Sequence, residues 1–550
     1  MNMYYKKSSL ILALVASCVA ISGCSNKTKS SSSSTDNSST TSSNIINVDL
    51  GADLATLDPQ MAEDVQSTRV AYDLFEGLVT SDQSNKPIPG LAEKWDISPD
   101  NKTYTFHLRP GIKFSDGTPI TVDDILFSFQ RLADPKTASP YNMLINNIVN
   151  GQAIIDGKAA VDTLGIKALD ANTIQITLNH PDSSFLSICA MPNLSAVSKI
   201  NVTKFGQAWT DPKNMVTSGA YKLDERVVQG YVLESKNPNY YGANNVAIEK
   251  VKFFPIVDKN SSLSQYKSGG LDITYLLPID QYKTIKAQMP EQEHTVSWET
   301  IEYLDFNMTS PKFKDNLKLR QALSMGVDRQ AIVKDVMGQD QKALYAYTTS
   351  TIEGGKFAGL DYEWAKWPRD LQIAKAQQLF KEAGYGSNHP LQISIAYNTR
   401  DDHKKKAIAI ASMWQQVFGE NSIQVTSANQ EWKTFLQARH KGDYDLARDG
   451  WVADYDSVDS YTNLYMCNGP QNNSHSCTSG YNDLITKAQN SSDAKQRVEL
   501  IRQALKAAMD NYVVIPLYQD TYYRLLSPKV KGYTPETNHL DHVMSKWYKF

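Results

Sequence analysis

Little in this chain is out of balance, and each shortage closes off a class of function. Lys and Arg number 56 against 59 Asp and Glu, a formal net charge of −3. A nucleic-acid binder normally carries a basic face, so that class is argued against. Beyond the N-terminus no apolar run approaches the roughly 20 residues that span a bilayer. Cysteine is scarce, at five in 550 residues, too few for a disulfide-built scaffold. Catalytic signatures are missing too: there is no G-x-S-x-G elbow, no H-E-x-x-H helix and no C-x-x-C pair. Gly151–Lys158 imitates a phosphate loop, but its glycines stand one residue too far apart. Ala159 follows where Ser or Thr would hold magnesium. Ser264-Gln265-Tyr266-Lys267 fits S-x-x-K, a pattern that chance produces at this length. No nucleophile, metal site or cofactor site is indicated, and an enzyme is not expected.

What is present begins with an address. Lys6 and Lys7 precede an apolar run from Leu10 to Ile21 and the string Ile21-Ser22-Gly23-Cys24. A basic start, a short apolar core and small residues before a cut site describe a secretory signal. Ile-Ser-Gly-Cys resembles the lipobox of bacterial lipoproteins. That implies residues 1–23 are a signal peptide, with Cys24 lipidated as the mature N-terminus. The stretch from Ser25 to Asn44 contains only Ser, Thr, Asn, Lys and Asp and cannot bury a core. As a flexible coil it spans about 25 Å, a spacer between lipid and globule. What remains is too long for one core, and two or three lobes are expected. Cys18 leaves with the signal and Cys189 stands alone in apolar surroundings. Cys467 and Cys477, ten apart in a Gly/Asn/Ser-rich stretch, suit a local disulfide in an oxidising compartment. Two free thiols, or a metal site with His475 between them, are the alternatives.

From Asn44 onward strands and helices alternate. Ile45–Leu50, Tyr104–Arg109 and Thr173–Leu178 read as strands, the last with period-two alternation. Thr121-Val122-Asp123-Asp124 starts a helix as a capping box would, and Ile125, Phe127, Phe129 and Leu132 continue it. Leu317–Val336 reads as one helix. Asp370 is placed as the cap of Leu371–Ala383, which stops at Gly384. Strand Leu391–Tyr397, helix Lys404–Phe418, strand Ile423–Ser427, helix Trp432–His440 and strand Tyr444–Arg448 follow. Helix Asp493–Met509 and strand Val513–Tyr518 close the pattern. The mixture predicts layered α/β architecture, with no internal repeat.

Four stretches carry a resemblance. They are Asp73-Leu74-Phe75-Glu76-Gly77-Leu78, Pro89-Gly90-Leu91-Ala92-Glu93-Lys94-Trp95, Lys113-Phe114-Ser115-Asp116-Gly117-Thr118-Pro119, and Asn429–Leu436 continuing through Tyr444 to Ala453-Asp454-Tyr455. From Asn47 to the C-terminus the chain resembles the extracytoplasmic solute-binding proteins of peptide ABC importers. The resemblance implies two lobes of the type II periplasmic-binding-protein kind, with a peptide enclosed between them. By analogy one lobe holds residues 44–75, 200–299 and 520–550, an inserted subdomain holds 76–199, and the second lobe holds 300–519. The implied partners are an oligopeptide, a membrane permease with cytoplasmic ATPases, and the membrane through Cys24; a monomer is the family expectation. Gram-negative relatives are free in the periplasm. Cys24 and its spacer therefore point to the outer face of a membrane in a cell without a bounded periplasm. The same fold group also serves nickel, haem, opines, sugars and signalling peptides, and a non-transport adhesin or sensor is a further alternative.

A general peptide receptor must read what every peptide shares, an ammonium, a carboxylate and a backbone. The resemblance implies Asp454, in Gly450-Trp451-Val452-Ala453-Asp454-Tyr455, as the partner of the α-amino group. Read from its surroundings alone, Asp454 suits a turn or helix cap. Arg448 and His403 match cations that meet the carboxylate, and an arginine fork suits both oxygens. By the residues alone Arg448 could instead pair with Asp449, and His403 could belong to a solvated helix start. A third cation of the relatives aligns with Met337, which implies a preference for four residues or more. Glu63, Val65, Gly450 and Val452 match positions whose main chain flanks the ligand; Tyr141, Trp432 and Trp451 match aromatics of the cavity, or are ordinary core. A disulfide of the relatives aligns with Thr300 and Val452, so both of its cysteines are absent together.

Overall fold

The computed structural model describes residues 44–550 save Ser492. The signal, Cys24 and the spacer lie outside the described residues. Three sheets organise the fold. A four-stranded sheet runs in the order Ile45–Asp49, Lys250–Phe254, Tyr231–Lys236, Tyr221–Val227, its first pair parallel and the rest antiparallel. A second, wholly antiparallel sheet is built from Ala92–Ile97, Thr103–Leu108, Thr173–Thr177 and Ile166–Asp170. The third has six strands, in the order Lys342–Ala343, Val514–Leu525, Glu293–Phe306, Leu446–Val452, Leu391–Asn398, Ile423–Gln430. Its last three strands are mutually parallel and the others antiparallel.

Local chemistry explains the elements. In Thr173–Thr177, Ile174 and Ile176 are buried while Thr173, Gln175 and Thr177 are half-exposed, as strand alternation requires. Thr121 accepts from the Asp124 N–H, and the Asp124 carboxylate accepts from the Thr121 N–H at 3.0 Å, closing a capping box on helix Val122–Ala133. Ile125, Phe129 and Leu132 from that helix join Tyr104, Phe106 and Ile174 in one core. The disulfide Cys467–Cys477 closes a ten-residue loop with Cα atoms 4.5 Å apart, and Cys189 is a buried free thiol. No described helix is long and apolar enough to cross a membrane.

Two strands carry the architecture. Glu293–Phe306 has 14 residues and Val514–Leu525 has 12, and they pair along almost their full length with register shifts between Ser297 and Ile301 and at Glu302/Tyr303. Ile273 bridges both Val48 of the first sheet and Leu526 just past the second long strand. The paired ribbon therefore reaches from the first sheet into the third. Both lobe boundaries expected from the sequence, after Glu299 and after Gln519, fall inside these strands, beside the register shifts. A strand passing between two lobes bends where its ladder is interrupted.

Several expected boundaries move. The helix read over Leu317–Val336 is broken: Leu317–Gly326 ends at Val327, whose backbone is extended, and Asp328 caps a new turn. That turn widens into a π-helix over Ile332–Met337 and stops at Gly338, φ +64°. The cause is Arg329, fully buried, which donates to the carbonyls of Ser324, Val327, Leu344 and Pro516. A continuous helix would aim that side chain elsewhere. The helix given to Lys404–Phe418 starts at Asp401, and Pro368 rather than Asp370 occupies the N-cap of Arg369–Glu382. The strand read as Tyr444–Arg448 is Leu446–Val452, because its pairing with Glu293–Phe306 continues to Val452.

Arg329→Met removes a donor from four buried carbonyls, of which Ser324 and Val327 keep only long bonds from Val327 N–H and Arg369 Nη1. At about 1–3 kcal/mol for each unsatisfied buried group, partly relieved by relaxation, a net loss of at least about 3 kcal/mol is expected. Urea unfolding should show a lowered midpoint with an unchanged slope.

Candidate functional site

The site grows from strand Leu446–Val452. Ala453 N–H donates to Glu299 O at 2.8 Å and Asn307 N–H to Asp445 O at 3.0 Å, so the odd-numbered residues bond to Glu293–Phe306. In an antiparallel pair the alternate residues direct N–H and C=O the other way. Arg448, Gly450 and Val452 therefore turn their backbone groups toward the opposite edge. Leu391–Asn398 covers that edge only at Leu446 and Ala447. From Arg448 to Val452 no strand covers the edge, and Gly450 N–H is met there by the Asp449 carboxylate at 2.7 Å.

The side chains of Arg448 and Val452 face a cavity of about 150 Å³, whose wall also includes Gly450. Val65 and Gln66 line it from one side and Asn398, Thr399, Arg400 and Trp432 from another. The volume is below the roughly 300 Å³ at the lower end of ligand clefts, so the walls are drawn close together. Four polar atoms of lining residues, Thr300 Oγ1, Trp298 Nε1, Trp432 Nε1 and Asn398 Oδ1, have no hydrogen-bond partner in the protein. Gly450 has a steric reason. A Cβ there would lie 2.5 Å from Glu302 Oε1 and 3.0 Å from Arg448 Nη2, which is the space occupied by their ion pair.

One end of the cavity is cationic. Arg448 grips Glu302 through Nε at 3.1 Å and through Nη2, and Lys406 Nζ reaches the same carboxylate at 2.5 Å. Burial alone would raise the Glu302 carboxyl; Arg448 and Lys406 outweigh it and hold it below the ordinary value. Arg400 forks onto Asp402 through Nε at 2.8 Å and Nη2 at 2.5 Å. Lys259 reaches Asp402 from a different part of the chain at 3.2 Å. Burial opposes ionisation of Asp402, yet Arg400 and Lys259 keep it well below the usual carboxylate range. Asp520 has no such partner, and burial followed by the Glu302 charge lifts it to about 6.

Asp454 has the opposite environment. Its residue is 8% exposed, Tyr141 Oη donates to Oδ1 at 2.8 Å and Ser460 Oγ to Oδ2 at 3.0 Å. Ser460 Oγ also receives the Trp451 indole N–H at 3.0 Å, and the Tyr141 and Trp451 rings stack with centroids 6.5 Å apart. No cation lies within ion-pair distance among the described residues. Burial pushes the carboxyl from 3.8 up to about 7, with the two hydroxyls opposing. At 1.36 kcal/mol per pKa unit, that rise makes burying the ionised form cost roughly 4 kcal/mol.

The structure thus brings Val65, Trp432, Arg448, Gly450 and Val452 to one cavity. Tyr141, Trp451 and Asp454 form a sealed cluster beside it rather than on its wall, and Trp451 lies on the opposite face of its strand from Arg448. Glu63 accepts from His440 Nε2 at 2.8 Å and is not on the wall. The Arg448 partner is Glu302, not Asp449, which Arg439 holds instead; neighbours along a strand face opposite ways. His403, matched to a carboxylate-binding cation, stands off the cavity wall, its Nε2 without a hydrogen-bond partner among the described residues. Its side chain is fully buried, and Nδ1 faces the Asn398 carbonyl at 3.2 Å. Burial, with Arg400 and Arg448 close by, drives its pKa well below 6.5, so the ring is neutral. Arg400, which no sequence pattern singles out, also lines the cavity. Thr300 lies opposite Val452 in the ladder. No group of His, Cys, Asp and Glu able to hold a metal occurs among the described residues. His403 ring resonances should stay at their neutral positions from pH 8 to pH 5 in an NMR titration, while exposed histidines move.

Comparison with known proteins gives the family. Residues 86–473 match the bacterial extracellular solute-binding proteins, family 5 middle region. The periplasmic oligopeptide-binding protein OppA of Salmonella typhimurium is 38% identical over 499 residues, covering 90% of each chain. The crystal structure of Haemophilus influenzae OppA in complex with RPPGFSPFR superposes with a TM-score of 0.89 at 34% identity, over 92% of this chain and 99% of that one. The Escherichia coli murein tripeptide binding protein MppA is informative because two of its structures differ. One gives a TM-score of 0.88 over 92% of this chain and 98% of that one; its unliganded open form gives 0.64 over 92% and 97%, both at 34% identity. The drawn-in walls thus go with an arrangement unlike that open form. A two-lobed α/β fold and a match over most of its length make this chain a member of family 5 of the bacterial extracellular solute-binding proteins.

Proposed function

We propose that this protein is a lipid-anchored extracytoplasmic receptor that captures oligopeptides of four residues or more and delivers them to an ABC permease. The observation that carries the reading is Asp454, a buried carboxylate held by two hydroxyls and lacking a cation. An α-ammonium supplies what it lacks, and a charge-assisted hydrogen bond is the strong kind. The open edge at Arg448, Gly450 and Val452 supports pairing with a peptide main chain, as in strand addition. Glu63 and Val65 are proposed to flank the ligand from the other side. The cationic end suits the carboxylate. Together these features complement a zwitterion of any sequence, and names carried by the relatives, OppA with its bound nonapeptide among them, support the same ligand class.

The mechanism follows from the cost of closure. Shutting the cleft without a ligand either buries an unpaired charge at Asp454 or requires it to take up a proton. A peptide ammonium removes that cost, so ligand favours the closed state. Met337, at the position matched to a cation in the relatives, is buried in the core, which supports the preference for longer peptides. Cys24 would tether the receptor, as a monomer, to the outer face of a membrane. Its spacer suits a cell without an outer membrane.

Three outcomes test this. Asp454→Asn should weaken binding of alanine tetra- to hexapeptides by about 30-fold to several thousand-fold in calorimetry, and N-acetylation should do the same to wild type. Binding needs Asp454 ionised, so wild-type affinity should rise with pH, at most about tenfold per unit, up to about 7, and fall again above about 8 as the peptide α-amino group loses its proton. Asp520, which titrates near 6, leaves only a shallower slope in Asp454→Asn. Cys24→Ser should move the protein from the membrane fraction to the soluble fraction of its native cell without changing peptide affinity.

A further inference from the structure

We propose that Arg400 is the residue that receives the carboxyl-terminal carboxylate of the bound peptide, an inference resting on the peptide-receptor reading above.

Position comes first. The inner cavity and an outer cleft of about 710 Å³ share three lining residues, Val257, Thr399 and Arg400. Arg400 is the charged one. The inner space therefore meets the outside at this guanidinium. A peptide whose ammonium is at Asp454, running antiparallel to the open edge from Val452 back to Arg448, heads toward that partition.

Bonding comes second. Arg400 spends Nε and Nη2 on Asp402, and its Nη1 makes no hydrogen bond within the described protein. Asp402 fixes the fork on one side, so the free N–H pair is aimed without the loss of rotamer freedom that a loose arginine would suffer on binding. The side chain is 18% exposed, reachable yet poorly hydrated.

Charge comes third. Arg400, Arg448, Lys406 and Lys259 are four cations; Glu302, Asp402 and Asp520 are three carboxylates. Within this group one cation is left over even with Asp520 ionised; Asp53, paired with Arg226, and Glu431 also line the cavity. Glu302 is shared by Arg448 and Lys406, while Lys259 brings a second cation to Asp402. Lys259 stands in a segment expected in the other lobe, so closing the cleft would add its charge to Asp402 and leave that of Arg400 to the ligand. His403, buried and neutral behind Asp402, has no charge to offer.

The experiment measures the ratio of affinities for alanine tetra-, penta- and hexapeptides as free acids and as carboxyl-terminal amides. Wild type should prefer the acid by about 30-fold or more. In Arg400→Gln combined with Asp402→Asn, which removes the pair together, that preference should fall to a few-fold. In Asp454→Asn it should persist although both affinities drop, which separates the two ends of the peptide. A double variant that binds peptide with the wild-type acid-to-amide ratio overturns the proposal. If near-UV circular dichroism shows the double variant misfolded, Arg400→Lys is read instead: it keeps the charge but loses the fork, and an unchanged ratio there overturns the proposal equally. Wild type that binds the peptides without distinguishing acid from amide removes the carboxylate receptor alone. Wild type that binds none of them removes the peptide-receptor reading and this one with it.

Discussion

A buried carboxylate without a cation is the constraint around which this structure turns. Ionised groups are almost never buried unpaired, because water solvates them far better than a protein interior does. At Asp454 the interior provides two hydroxyls and an aromatic stack, enough to orient the oxygens and too little to neutralise them. The closed arrangement is thus incomplete by one positive charge. Under the proposed function, specificity and conformational change would rest on the same group, since what neutralises Asp454 would also favour closure.

The other end uses the reverse device. Glu302 and Asp402 each answer two cations, and each arginine leaves one N–H pair without a hydrogen bond among the described residues. Such pairs contribute little net stability when buried, because desolvation offsets attraction; what they provide is direction, with guanidinium planes set before a ligand arrives. Between the two ends runs a strand edge that a neighbouring strand covers at two positions and then abandons. In the proposed reading the ammonium site just past Val452, the uncovered edge and the cationic end at Arg448 follow one another along the chain. This is how a site can be strict about being a peptide and indifferent to which one.

The ribbon of Glu293–Phe306 and Val514–Leu525 makes that arrangement movable. It delivers Thr300 and Glu302 to the cavity and Glu299 to the ladder end next to Asp454, while its register shifts sit between the sheets. The register shifts and the cavity-lining Thr300 and Glu302 fall within the same few residues. A change in the angle between the sheets therefore repositions the open edge directly.

Much of this was legible in residues 44–550 before any coordinates. Period-two alternation gave Thr173–Thr177, a capping box gave the start of Val122–Ala133, and the ordered matches around Asp454 and Arg448 gave the fold class, because local pattern and local chemistry are written in neighbouring residues. Partnership was not legible. Arg448 next to Asp449 invited a pair that a strand cannot form, and the actual partner, Glu302, lies 146 positions away. His403 among three lysines looked like a surface cation, and burial made it neutral. Nothing in the sequence singled out Arg400, and the fold set it on the wall of the cavity. The sequence by itself determined the elements, the family and the candidates for the ligand's two ends. Tertiary structure decided which candidates are charged, which are paired and which face the cavity, because charge state and pairing depend on distance and desolvation, and those exist only once the chain has closed on itself.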